Sequence, residues 1–288
     1  MVKLVRGFTS STNAVINHII GSSSDEDTDE EVINQPTLEH LAVNFNKSSH
    51  SDFMVYLEQQ VTEEMISEIE LDTRDQSSGD NSVWIQQRMG RITGTSAHSV
   101  CNFRGDKPGK TVINKIMGRE QVFSNNATVH GKRSEILAKE MYKNFRNKAH
   151  TNLKVSKAGL VISKKFPFLG ASPDGRVTCK CCGSGIIEVK SSFKNKHLTP
   201  IEAAKLTCQH LDVKNDHVSV KKTSPWYSQI QHQLLVTGAD WCDFVFYTEI
   251  DPCISTKRIY PDIKWQENSI PLMVNFWKRY IMQDILDQ

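Results

Sequence analysis

The spacing of apolar and polar positions separates a polar leader from a patterned body. Residues 53–70 (FMVYLEQQVTEEMISEIE) place apolar side chains at helical spacing and predict a helix. The run 77–81 (SSGDN) then punctuates the chain. Beyond it the pattern predicts helices near 95–102, 111–117, 128–146, 199–210 and 225–237, the last ending at Gly238, and a terminal helix near 270–286. Strands are expected at 159–163, 185–191 and 243–248, the last dense in β-formers at Phe244, Val245, Phe246 and Tyr247. A short strand is expected at 255–260. Between the first two strands, 168–177 contains a tight Pro173-Asp174-Gly175 turn. Helices interleaved with strands imply a mixed α/β fold with helices covering a central sheet. The folded body is expected over 69–288. Residues 1–68 are expected to form an acidic, partly disordered arm carrying the helix near 53–68.

Charge sharpens that division. The stretch 22–31 (SSSDEDTDEE) has no apolar residue and carries a block of like charge, so it is expected to be disordered. The apolar patch 15–20 before it has the form of a short docking strand, as in segments that bind ubiquitin-like modifiers; chance is the simpler explanation. Residues 1–80 hold 4 basic against 16 acidic residues, and the remainder 31 against 17. A basic body with an acidic arm suits a polyanionic partner, and equally a solvated surface with a polar tail. No apolar run reaches the length of a membrane span. The N-terminus lacks the continuous apolar core of a secretory signal. The seven cysteines are odd in number, with three crowded at Cys179, Cys181 and Cys182, which does not suit a disulfide framework. These features imply a soluble intracellular protein, without resolving nucleus from cytoplasm.

The chemistry concentrates in Gly170-Ala-Ser-Pro-Asp174-Gly and Ile186-Ile-Glu188-Val-Lys190. Side chains alternate faces along a strand, so Glu188 and Lys190 project together while Ile187 and Val189 point into apolar packing. Fourteen residues separate Asp174 from Glu188, enough chain to leave one strand and return on the next. Two carboxylates at one point repel unless a cation neutralises them. Mg²⁺ takes carboxylate and water oxygens, with substrate phosphate completing its shell. A lysine beside it can orient water or neutralise phosphorane charge, so the set holds the parts needed to hydrolyse a phosphodiester. A surface turn followed by an ordinary Glu–Lys pair would leave the same triplet.

Flanking motifs carry a resemblance. In order they are Trp84-Ile-Gln-Gln-Arg88-Met-Gly-Arg-Ile-Thr93-Gly-Thr95, Gly131-Lys-Arg-Ser-Glu135, the two segments above, and Trp226-Tyr-Ser-Gln229-Ile-Gln231-His-Gln-Leu. From about residue 69 to 252 the chain resembles the lambda-type phage exonucleases and the YqaJ-like viral recombinase domain, a branch of the PD-(D/E)XK nucleases. The resemblance implies a restriction-endonuclease-like core and a Mg²⁺- or Mn²⁺-dependent deoxyribonuclease with two ions per site. Asp174, Glu188, the Val189 carbonyl and Glu135 would hold metal, and Lys190 would be the catalytic lysine. Gln229 would reach the site; Gln233 shares its helix face, and Gln231 points roughly the opposite way. Arg88, Thr93 and Thr95 would bind the substrate's 5′-terminal phosphate, as an arginine fork and a helix N-terminus can. A salt bridge for Arg88 and a plain N-cap for Thr95 are the alternatives.

The implied activity is digestion of DNA ends, 5′ to 3′, in recombination, repair or replication of a mobile or viral genome. A structure-specific or nicking endonuclease on the same fold is the sibling reading. A non-catalytic DNA-binding protein or a zinc-dependent interaction module is the reading of another class. DNA is the expected partner; a homo-oligomer and a protein partner for the acidic arm are the others the reading allows. The cysteine cluster departs from the phage pattern. Cys179, Cys181, Cys182 and Cys208 could form a zinc site, although no standard ligand spacing is met, and a reduced hairpin tip is the expectation preferred. Basic residues at 194, 196, 221 and 222 could line a nucleic-acid groove or simply be solvated. Trp226, Tyr227, Trp241 and 244–247 sit at core-like spacing, so packing is expected over base stacking.

Overall fold

The computed structural model describes residues 35–45, 50–75, 82–120, 125–207 and 209–287. The elements run α1 (Leu38–Val43), α2 (His50–Gln60), α3 (Glu63–Asp72), α4 (Ser82–Arg88), β1 (Ile92–Thr93), α5 (Gly94–Cys101), α6 (Lys110–Ile116) and α7 (Asn126–Asn147). Then come β2 (Lys154–Ser156), β3 (Val161–Ile162), β4 (Leu169–Ala171), β5 (Gly175–Cys179), β6 (Gly183–Ser191), α8 (Pro200–Leu206), β7 (Leu211–Lys214) and β8 (His217–Val220). The chain closes with α9 (Pro225–Thr237), β9 (Cys242–Tyr247), β10 (Ile254–Ile259), α10 (Ile263–Tyr280) and α11 (Met282–Leu286). Among the described residues, no helix is long and apolar enough to cross a membrane.

The expected α/β class holds. A five-stranded sheet in the order β10-β9-β6-β5-β2 is mixed, because β6 and β9 run parallel while the other pairs are antiparallel. Alternation along β6 sends its apolar residues to both faces. Ile187 and Val189 pack with Val177, Val245, and Ala138 and Tyr142 of α7. Ile186 faces the other way, onto Ile230 and Leu234 of α9 together with Phe244 and Phe246. The sheet is thereby covered by α7 on one side and α9 on the other. A smaller sheet, β1-β4-β3, lies beside this frame, with Ile92 paired to Leu169 and Thr93 to Gly170. The tip of β5 and β6 is a short turn, while β7 and β8 form a separate hairpin.

Several boundaries differ from expectation. The helix read over 53–70 is two helices, α2 and α3, because Thr62 caps a new start by accepting from the Met65 N–H. Their apolar face is not an arm. Phe53, Leu57, Val61, Ile66 and Ile69 join Trp277 and Phe168 in one core, with Trp277 stacked at 6.3 Å from Phe53 and 4.9 Å from Phe168. Both helices belong to the unit that runs over Ile33–Gln288. The helix expected over 199–210 stops at Leu206, and β7 follows. The terminal helix begins earlier, at Ile263, where the Asp262 carboxylate caps the Trp265 N–H. The acidic run 22–31 and the patch 15–20 lie outside the described residues.

Helix α9 is the hub. Ser224 caps its start, Pro225 opens the first turn, and Gly238 closes it in the left-handed conformation at φ 63°. It is buried almost throughout, so its polar side chains need partners. His232 has one in the Gly170 carbonyl at 3.0 Å. Burial drives the His232 pKa down to about 4 and keeps the ring neutral in the folded chain. In the unfolded chain it takes a proton near its ordinary value, so folding stability is complete above about pH 6.5 and is lost as pH falls toward 4. The wild type should lose about 2 kcal/mol more than a His232→Gln variant between pH 7 and pH 5, read from urea unfolding. Equal slopes for the two chains would refute this account of His232.

Candidate active site

The site forms where β5 stops. Gly175 pairs with Ile187, and the Asp174 N–H still donates to the Ile187 carbonyl at 3.1 Å. One rung further there is no strand, and the Asp174 carboxylate takes its place, accepting from the Val189 N–H at 2.6 Å. The N–H and C=O of one strand residue point to the same edge. The Val189 carbonyl is therefore directed past the end of β5, beside Asp174. The turn aspartate thus stands against the strand that carries Glu188.

Glu188 points to the α9 face and is 1 % exposed. Lys190 Nζ donates to its Oε1 at 2.6 Å, and Gln229 Nε2 donates to the same oxygen at 2.6 Å. Gln229 Oε1 in turn accepts from Lys190 at 3.0 Å, closing a triangle. The second carboxylate oxygen accepts from Gln233 Nε2 at 2.8 Å. Gln229 and Gln233 sit one turn apart on α9, so both face β6. Gln231, on the other face, accepts from the Asp262 N–H and donates to the Tyr260 carbonyl. Each glutamine presents its NH₂ to an oxygen of Glu188. This leaves Gln233 Oε1 buried with no hydrogen-bond partner.

Helix α7 brings a third carboxylate. Lys139 Nζ donates to Glu135 at 2.7 Å and to the Asp174 carbonyl at 2.8 Å, tying the helix to the turn. Burial raises the Asp174 pKa well above the carboxylate range, and Glu188 and Glu135 push it further, against Lys190 and the Val189 N–H. Burial alone would lower the Lys190 pKa; the carboxylates of Glu188 and Asp174 outweigh it, hold the value raised and keep the amine charged. Cys242, fully buried, is pushed up by burial and by Glu188, Asp243 and Asp174, and stays a thiol. Carboxylates crowded until one is driven toward its neutral form, with an outward-facing backbone carbonyl beside them, suit a hard divalent cation. Asp174, Glu188, Glu135 and the Val189 carbonyl are the oxygens that could hold it.

A second group lies along α4 and α5. Arg88 stacks on the Trp84 ring at 4.0 Å, and Trp84 Nε1 donates to the Ser172 hydroxyl at 3.1 Å, two residues before Asp174. Burial lowers the Arg88 pKa to about 10, which leaves it cationic at neutral pH. Among the described residues its guanidinium has no carboxylate partner, so the salt-bridge alternative finds no support. Thr93 is buried at the start of α5, with its hydroxyl 3.5 Å from that of the exposed Thr95. Gly94 lets α5 approach α9: a Cβ there would stand 3.0 Å from Gln229 Cγ.

Of the four lysines expected to line a groove, Lys194 is exposed and the other three face carboxylates. Lys196 faces Glu249 at 3.5 Å, Lys221 faces Asp212 at 3.6 Å and Lys222 faces Asp262 at 2.9 Å. Tyr227, Trp241 and the β9 aromatics are buried, as packing requires; Trp226 is half-buried against His210. Gln233 and Lys139 were missing from the sequence-based site. Both follow the four-residue helical repeat, from Gln229 and Glu135 respectively.

The family model of the YqaJ-like viral recombinase domain matches residues 83–240, a span that includes Arg88, the three carboxylates and the α9 glutamines. That match decides the family. The chain belongs to the YqaJ-like viral recombinase domain family. This is a nuclease family, and the YqaJ region here holds all the site residues singled out above. An uncharacterized protein of Acanthamoeba polyphaga mimivirus is 27 % identical over 170 residues, covering 56 % of this chain and 28 % of that protein. The chain thus spans little more than a quarter of the length of this curated relative. Among solved structures, the alkaline exonuclease LHK-Exo of Laribacter hongkongensis with dAMP is 24 % identical, covers 71 % of this chain and 93 % of its own, and superposes with a TM-score of 0.53. A complex of SOX with DNA is 12 % identical, covering 87 % and 78 %, with a TM-score of 0.51. A complex of SOX of the Kaposi's sarcoma-associated herpesvirus with RNA is 13 % identical, covering 81 % and 76 %, also at 0.51. The YqaJ region here therefore has the restriction-endonuclease-like fold of these exonucleases.

Proposed function

We propose that the chain is a divalent-metal-dependent DNA exonuclease that hydrolyses phosphodiester bonds from 5′ ends. The observation that carries this reading is the Asp174 carboxylate on the Val189 N–H at 2.6 Å, which brings it beside Glu188, Lys190 and an open main-chain oxygen. Asp174, Glu188, Glu135 and the Val189 carbonyl would hold Mg²⁺ or Mn²⁺, with two ions per site. The metal would polarise the phosphate and stabilise charge on the leaving oxygen. The protein supplies the rest. Lys190, charged and fixed by Glu188 and Gln229, donates a hydrogen bond to the attacking water or to a phosphoryl oxygen rather than acting as a base. Arg88 and the Thr93–Thr95 start of α5 grip the 5′-terminal phosphate and set the end of the strand against the acids. DNA recombination, repair or replication of a mobile or viral genome are the settings such an activity serves.

The test is digestion of 5′-phosphorylated linear, 5′-hydroxyl linear and covalently closed circular DNA, with Mg²⁺ or with EDTA. Expected are cleavage only with Mg²⁺, preference for the 5′-phosphorylated end, loss of that preference in Arg88→Ala, and intact circles. Efficient cutting of closed circles would replace the exonuclease with an endonuclease. Cutting in EDTA would remove the metal.

Gln233 is a positioning residue in this scheme, because it fixes the second oxygen of Glu188. Gln233→Leu frees that oxygen and should raise the Mg²⁺ concentration for half-maximal cleavage about 10-fold or more. The rate at saturating Mg²⁺ should fall less. An unchanged Mg²⁺ titration would assign Gln233 a packing role only.

A further inference from the structure

A second cluster of ligating side chains lies at the opposite end of the β5–β6 hairpin. His150, in the turn after α7, meets Cys179, Cys181 and Cys182 at the hairpin tip, with all four ligand atoms within 4.8 Å of one another. His150 Nδ1 lies 3.2 Å from the Cys181 sulfur, 3.4 Å from Cys182 and 3.7 Å from Cys179. Cys181 is 3.6 Å from Cys179 and 3.8 Å from Cys182.

Hydrogen bonding does not account for this arrangement. A neutral imidazole nitrogen has one lone pair and can accept from one thiol, yet three sulfurs converge on the same Nδ1. A disulfide between any two of them would leave the third unexplained. A tetrahedral zinc has Zn–S bonds of about 2.3 Å and Zn–N bonds of about 2.0–2.1 Å, which sets S···S edges of about 3.8 Å and S···N edges of about 3.5 Å. The distances here scatter around those two values. We propose that His150, Cys179, Cys181 and Cys182 bind one zinc ion as a closed, structural Cys₃His site. Four protein ligands leave no position for substrate, which separates this site from a catalytic one.

The sequence offered Cys208 as a possible fourth ligand and favoured a reduced hairpin tip; among the described residues it is His150 that stands at the fourth corner, and Cys208 lies outside them. The adjacent pair Cys181 and Cys182 can serve one ion because the tip turns sharply at Gly183, φ 76°, and because the Lys180 N–H donates to the Thr151 carbonyl, holding the tip against the His150 turn. The Cys182 carbonyl is fixed by Trp241 Nε1 at 3.0 Å. A zinc there would fasten the end of α7, which carries Glu135, to the hairpin that carries Glu188 and Lys190 and follows Asp174.

The full chain, purified under reducing conditions without chelator, should contain one zinc per chain by elemental analysis. His150→Ala and Cys179→Ser should each lose it, while Asp174→Asn should keep it, separating this ion from any at the carboxylates. Exchange of the wild-type chain into cobalt(II) should give thiolate-to-cobalt charge-transfer bands and intense tetrahedral visible bands, a readout independent of whether the variants fold. Substoichiometric zinc with no charge-transfer band on cobalt addition would overturn the proposal. So would mass-spectrometric recovery of a disulfide among the three cysteines from freshly reduced protein, or zinc lost in Asp174→Asn but kept in His150→Ala. Failure of DNA cleavage would leave these readouts unaffected.

Discussion

Lys190→Ala should reduce single-turnover cleavage of 5′-phosphorylated duplex about 10²–10³-fold while leaving DNA affinity near wild type. The amine is held by Glu188 and Gln229 and remains charged, and in the proposed mechanism it would face the negative charge that develops on the phosphate. Removing it takes away a donor needed in the transition state but not one that binds the duplex, so kcat falls and the dissociation constant does not. Lys190→Met keeps much of the volume and should fall as far, which separates charge from packing. Glu188 retains both glutamine donors in either variant, so the carboxylate stays in place. Binding is measured by fluorescence anisotropy with Ca²⁺ in place of Mg²⁺. Cleavage at the wild-type rate would end the mechanism.

Asp174→Asn should strongly reduce cleavage and at the same time stabilise the metal-free protein at neutral pH. Burial and two neighbouring acids raise the Asp174 pKa, so the folded chain holds a proton that the unfolded chain has already released above about pH 4. Stability of the metal-free wild type therefore falls as pH rises through that window, up to the raised folded value. Asparagine can still accept from the Val189 N–H and carries no charge to bury. Its melting temperature should exceed wild type at pH 7, and the advantage should vanish below pH 4. Mg²⁺ should raise the wild-type melting temperature and leave the variant unmoved. A loss of about 10³-fold in rate, about 4 kcal/mol of transition-state stabilisation, is expected. A variant less stable than wild type at pH 7 without metal would show that the acids are not strained as described.

Much of this site was legible because two periodicities are short and rigid. Glu188 and Lys190 share a face through the strand period of two, and Gln229 was separable from Gln231 through the helical period. Gln233 was within reach of the same reasoning, because it shares the helix face of Gln229; the two oxygens of Glu188 take one glutamine each. His150 was not legible. It lies 29 residues before Cys179, with β2, β3 and β4 between them, and only tertiary packing brings it to the hairpin tip. The β7–β8 hairpin did have a local signal: Asn215 and Asp216 both take positive φ, 49° and 57°, in a two-residue turn of the kind these residue types favour. It was lost because the preceding helix was read three to four residues too long. The break between α2 and α3 was hidden in the same way, since Val61 and Ile66 keep the apolar pattern running through the cap.

The halt of β5 at Gly175 has a consequence for mutational scanning. In the proposed site, position 189 would offer the cation a peptide oxygen, which every amino acid possesses, while its side chain packs with Ala138 and Tyr142. Exchanges at this position should therefore register as changes in folding and not in catalysis, and a scan of side chains would pass over a metal donor. Only lengthening the neighbouring strand by one rung, so that the oxygen acquires a backbone partner, would silence it.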